Sequence, residues 1–100
     1  MTPEGKIKRK VVEVLREYDI WYFFPGNNGF GKSGIPDIIA IVGGRFVGIE
    51  CKATPKKEPT ELQKRCGKEI QEAGGLWFLV RSLEDIREVE KCLLSRVLEH

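Results

Sequence analysis

The sequence predicts an α/β fold in the order α-β-β-β-α-β-α, with helices covering both sides of a sheet. Two apolar runs, Ile38-Ile39-Ala40-Ile41-Val42 and Phe46-Val47-Gly48-Ile49, flank Gly43-Gly44, the signal of two strands joined by a tight hairpin turn. Both faces of that hairpin are apolar: Ile39, Ile41 and Phe46 on one, Ile38, Val47 and Ile49 on the other. Each face therefore needs a covering layer. Three further stretches repeat their apolar residues at helical spacing instead.

Each element has its own signal. Thr2 caps the first helix, with Pro3 in its first turn and Glu4 close behind. Ile7, Val11, Val14, Leu15 and Tyr18 form its apolar stripe. Ile20-Trp21-Tyr22-Phe23-Phe24 is a β-rich run that stops at Pro25-Gly26, and its aromatics are expected to lie mainly in the core. A glycine-rich loop to Ser33 precedes the hairpin. Thr60 and Gln63 make a capping box for a helix whose Leu62, Cys66, Ile70 and Ala73 are expected to point inward. Gly74-Gly75 ends that helix, and Leu76-Trp77-Phe78-Leu79-Val80 reads as a buried strand. Ser82 caps a last helix with Leu83, Ile86, Val89, Leu93 and Val97 on its inner side.

Composition fits one small domain over 1–97. The chain has 100 residues, of which 41% are hydrophobic, enough for one core but a modest one, so burial of further surface in a dimer is in keeping. Residues 98–100 end in the only histidine and read as a cloning scar with the first residue of a tag. Histidine-based chemistry then has no candidate. Three cysteines, Cys51, Cys66 and Cys92, form no CxxC pair and are odd in number, which argues against a disulfide framework and for an intracellular, reducing compartment. No apolar run is of membrane-spanning length.

The charge that matters lies inside the hairpin. A turn symmetric about Gly43-Gly44 pairs residues whose numbers sum to 87, so Asp37 falls opposite Glu50, with Cβ atoms roughly 4.5–5.5 Å apart. Lys52, two residues on, shares the face of Glu50. Like charges directly opposite destabilise a sheet, and apolar surroundings raise that cost. A divalent cation between the carboxylates reverses the sign of the problem. Oxygen ligands without sulfur or imidazole suit Mg²⁺, with Mn²⁺ as a substitute, rather than zinc. Two readings of Lys52 follow: it holds a phosphate or positions an attacking water, or it simply salt-bridges one carboxylate.

Net charge is only +2, so distribution carries the information about partners. Residues 51–68 hold six basic side chains against two acidic ones, whereas 69–100 hold four against seven. Lys6, Lys8, Arg9 and Lys10 form a second basic cluster. Both clusters could follow a phosphate backbone or be solvated helix faces. Lys32, Lys56 and Lys57, in loops near Asp37 and Lys52, are the better candidates for contact with such a backbone. Asn28 lies in the glycine-rich loop, whose backbone amides could approach a phosphodiester. At most one of the aromatics at 21–24 is expected to meet a base.

Asp37, Glu50, Cys51 and Lys52, with Pro36 before the first of them, resemble the PD-(D/E)xK signature of restriction-endonuclease-like nucleases. The chain is similar in particular to the VRR-NUC family, the virus-type replication-repair nuclease domain. The matching features are Glu4, Gly34-Ile35-Pro36-Asp37, Gly43-Gly44-Arg45-Phe46, Ile49-Glu50-Cys51-Lys52, Gln63 and Gly74-Gly75, in family order. Two departures stand out: the loop 25–31 lacks the arginine that often precedes its asparagine-glycine segment, and Cys51 takes the place of a β-branched residue.

The resemblance implies a restriction-endonuclease-like core with a mixed sheet flanked by helices. It implies a Mg²⁺-dependent deoxyribonuclease with Asp37, Glu50, Lys52, Gln63 and Glu4 as catalytic residues. Asp37, Glu50, the Cys51 main-chain carbonyl and Glu4 would be the metal ligands. Gln63 and Glu4 each carry a second reading, as capping-box partner and as helix-start acid. By likeness to dimeric Holliday-junction resolvases, the implied substrate is branched DNA and the implied state a homodimer, acting inside a cell and in keeping with a viral source. A monomeric flap or end-directed repair nuclease, and a non-catalytic DNA-binding module, are the alternatives.

Overall fold

The computed structural model of the chain describes residues 1–26 and 32–98. Its elements follow the predicted order: α1 (Pro3–Glu17), β1 (Trp21–Phe23), β2 (Ile38–Val42), β3 (Arg45–Cys51), α2 (Glu61–Glu72), β4 (Leu76–Val80) and α3 (Leu83–Leu98). The strands form one sheet in the order β1-β2-β3-β4. β1–β2 and β2–β3 are antiparallel, while β3–β4 is parallel. The parallel pair needs a crossover, and α2 supplies it.

The hairpin has the register read from its turn. Ile38 pairs with Ile49, Ile39 with Gly48 and Val42 with Arg45, without a bulge. Gly43 and Gly44 take φ of 57° and 77°, the two positive angles that a two-residue turn of matching twist demands. The predicted caps also form. The Thr2 hydroxyl accepts from the Gly5 amide, and Thr60 and Gln63 close a reciprocal capping box on α2. The Ser82 hydroxyl accepts from the Asp85 amide at the start of α3.

One side of the sheet carries the main core. Ile38, Ala40 and Val42 of β2, with Val47, Ile49 and Cys51 of β3, are buried against Val11 and Leu15 of α1 and Ile86, Val89 and Leu93 of α3. On the other side α2 lies over the β3–β4 half, close enough that two glycines are needed for contact. A Cβ on Gly67 would stand 2.5 Å from the Trp77 indole, and one on Gly48 would stand 3.2 Å from Ile70 of α2 and 2.8 Å from Pro36. Gly67→Ala is expected to cost roughly 1–3 kcal/mol through this overpacking, readable as a lower denaturation midpoint in urea at unchanged slope.

The uncovered half of that face corrects several burial expectations. Trp21 is 62% exposed, Phe23 43%, and Ile41 and Phe46 are both 40%. Strand pairing sets Trp21 beside Ile41 and Ile41 beside Phe46, so these side chains form one apolar surface. α2 is 12 residues long and packs on β4, so among the described residues the β1–β2 half has no covering helix. β4 is half-buried rather than buried, because it is the opposite edge strand. Leu62 and Leu83, in the first turns of α2 and α3, are exposed. Ala73 is exposed as well, since it caps the end of α2, whose buried residues are Cys66 and Gly67.

Candidate active site

Asp37 immediately precedes β2, and Glu50 is the penultimate residue of β3. The register that pairs Ile38 with Ile49 continues outward to bring these two opposite each other. Asp37 is held by both oxygens: Oδ2 accepts from the Cys51 amide at 2.9 Å, and Oδ1 lies 3.4 Å from the Lys8 ammonium. The Lys8 ammonium is also 3.9 Å from Glu4. Glu4 is thus joined to the carboxylate pair through Lys8, one helical turn further along α1.

Glu50 is 1% exposed, and its Oε2 has no hydrogen-bond partner. Burial pushes its carboxyl up to about 8; a hydrogen bond shared with Asp37 and repulsion from that carboxylate add to the effect, and Lys52 opposes it. The stability consequence has a definite sign. The folded state holds this proton where the unfolded chain has released it, so stability falls as pH rises from the ordinary carboxylate range through about 8. Without divalent cations, the melting temperature is expected to drop between pH 5 and pH 8.5, and Glu50→Gln to flatten that drop. A thermal-melt series in buffers of constant ionic strength checks it.

Cys51, between Glu50 and Lys52, points the other way. It is buried in the core, and burial followed by the Asp37 charge pushes its thiol up to about 12. A thiol so far from ionisation is no nucleophile. Its neighbour Lys52 has its amide fixed to the Val80 carbonyl at 3.0 Å, which anchors the backbone against the end of β4. The Lys52 side chain is half-buried and, among the described residues, has no carboxylate within ion-pair distance. The simple salt-bridge reading of Lys52 therefore lacks a partner here.

Beside Asp37 opens a cavity of about 640 Å³, lined by Lys8, Phe24, Lys32, Asp37 and Gln63 among others. Gln63 keeps its capping-box role and also borders this cavity. Its Oε1 accepts from the Thr60 amide at 2.8 Å. Lys32 reaches the cavity while paired to Glu69 at 3.2 Å. Lys56 and Lys57 are exposed on the segment between β3 and α2. Asn28 lies outside the described residues.

Three contributors escaped the sequence reading. Lys8 stood in a basic cluster, and its i, i+4 relation to Glu4 was the available signal. Phe24 read as core but is 56% exposed at the cavity. Arg81 donates from Nη1 to the Lys57 carbonyl at 3.2 Å and to Glu58 at 3.1 Å, tying the basic segment to the end of β4; no local pattern announces this. Among the described residues, no three histidine, cysteine, aspartate or glutamate side chains gather into an ion site by themselves. The charged oxygen donors on hand are the two carboxylates, and Mg²⁺ habitually takes one or two carboxylates and keeps waters.

Among solved structures, the chain is similar to one described as a VRR_NUC domain. The TM-score is 0.81 and the identity 22%, over 91% of this chain and 97% of that one. No protein-family model and no curated protein matches the sequence. The likeness shows that the chain has the fold of that domain, in agreement with the restriction-endonuclease-like α/β core expected from its motifs.

Proposed function

We propose that this protein is a metal-dependent DNA endonuclease acting on branched DNA as a homodimer. The observation that carries the reading is the buried Glu50 with its unpartnered Oε2, opposite Asp37 and two residues from Lys52. An acid left unsatisfied in a protein interior is costly, and a cation site offsets that cost. Asp37, Glu50 and the Cys51 carbonyl would hold Mg²⁺, which when bound supplies Lewis acidity toward water and the scissile phosphate. Lys8 fixes the Asp37 carboxylate in place, and the Cys51 amide holds its other oxygen. Lys52 presents an ammonium on the Glu50 face, suited to orienting a water for in-line attack and to balancing charge on the phosphate. Lys56 and Lys57 add sequence-independent backbone attraction.

The dimer rests on the apolar surface of Trp21, Phe23, Ile41 and Phe46, next to the free edge of β1. A two-fold axis through a self-complementary face sets two sites on one junction. Incubation with four-way, flap, splayed and linear duplex DNA, with and without Mg²⁺ or Mn²⁺, tests the whole reading. Paired nicks in the four-way junction are expected, only with metal. Light scattering should give twice 11.4 kDa, and the double variant Trp21→Ser, Phe23→Ser should reduce it to the monomer mass. A monomeric wild type that prefers flaps would replace this proposal with an end-directed nuclease, and DNA binding without any cleavage would leave a binding module.

A further inference from the structure

We infer that Phe24 is a stacking platform for an unpaired nucleobase beside the scissile phosphate, so that the site takes locally unpaired DNA and excludes continuous duplex. The inference rests on the nuclease reading of Asp37, Glu50 and Lys52 and narrows its substrate. Phe24 follows β1 and is 56% exposed, yet it borders the same cavity as Asp37. The Tyr22 ring stands edge-on to it, with centroids 5.9 Å apart and planes at 75°. Tyr22 is itself held, its hydroxyl accepting from the Arg16 Nε at 2.9 Å. The aromatic plane is therefore braced from one side and open on another.

Size and charge suit a nucleotide. The cavity volume of about 640 Å³ lies within the ~300–1,000 Å³ of pockets that enclose small ligands. Lys8 of α1 and Lys32 of the segment before β2 line it. The Lys32 pair with Glu69 joins two side chains that are each at least half exposed, and such pairs are weak enough to exchange for a phosphate. A base inside a duplex is already stacked on both faces, whereas an unpaired base can turn onto an aromatic ring. Branch points and bulges offer such bases next to a continuous backbone, and intact duplex does not. Phe24 is also distinct from the apolar surface of Trp21 and Phe23, because its ring packs on Tyr22, which alternates to the opposite side of β1 from 21 and 23.

The test uses DNA carrying 2-aminopurine, whose fluorescence falls on stacking, at successive positions of a short unpaired stretch within duplex. Protein carrying Asp37→Asn serves for binding without cutting. Quenching is expected at one position, lost in Phe24→Ala and kept in Phe24→Trp. Phe24→Ala should weaken binding to the bulged DNA about tenfold and leave binding to linear duplex unchanged. Equal weakening on both DNAs, or unchanged quenching, would overturn the stacking role while metal-dependent cleavage by wild type kept the nuclease reading. Failure of wild type to bind or cut any of these DNAs would overturn both.

Discussion

Asp37→Asn and Glu50→Gln are each expected to lower cleavage by roughly 10²–10³-fold or more, with the fold retained. The two carboxylates are the charged members of the oxygen set, and neither neutral amide can replace that charge toward a divalent cation. Their effects on stability should diverge from their effects on activity. At pH 8.5 without metal, wild type holds an ionised Glu50 in a 1% exposed position beside Asp37, and Gln removes that repulsion. Glu50→Gln is therefore expected to melt higher than wild type at pH 8.5 and to lack the added stability expected of wild type in Mn²⁺. Asp37→Asn keeps an oxygen for the Cys51 amide but leaves Lys8 only its longer pair with Glu4, so its melting temperature should change less. Melting curves with and without Mn²⁺, run beside single-turnover cleavage, separate these outcomes. Full activity in either variant would remove the two-carboxylate site.

Lys52→Ala is expected to lower the single-turnover rate by about 10²-fold while leaving Mn²⁺ binding intact or tighter. Its ammonium stabilises Glu50 as an anion, so its loss should push the carboxyl further up and steepen the pH dependence of metal binding. Lys52→Arg keeps the charge but not the compact ammonium and should recover only part of the rate. Calorimetric titration with Mn²⁺ at two pH values, paired with cleavage rates, decides it. A Lys52→Ala protein that cuts at the wild-type rate would leave Lys52 with no part in the chemistry.

Most of the fold was legible because its signals are local. Gly43-Gly44 fixes the register of the hairpin, and Thr2, Thr60 and Ser82 fix helix starts, each within a few residues. The Asp37–Glu50 juxtaposition follows from the same register, so it too was readable. Coverage was not. Trp21 and Phe23 have the composition of core strands, and only the placement of α2 over β4 leaves them exposed. Lys8 and Arg81 act across long sequence separations, on Asp37 and on the Lys57–Glu58 segment, and such contacts leave no period or spacing to find. Phe24 combines both difficulties, being an aromatic after a strand whose surroundings come from α1, the approach to β2 and α2.

The alternation along β3 sorts neighbouring residues between two kinds of selection. Val47, Ile49 and Cys51 are fully buried toward α1 and α3, while Gly48, Glu50 and Lys52 belong to the opposite face. In a library randomised over 47–52, survival as folded protein and survival as active protein should trace two interleaved combs. Odd positions would accept any apolar side chain of fitting volume, and even positions almost nothing. Core packing and the proposed chemistry can then drift independently although they share one stretch of backbone, so an engineer can strengthen the domain at positions adjacent to Glu50 and Lys52 while leaving those two side chains in place.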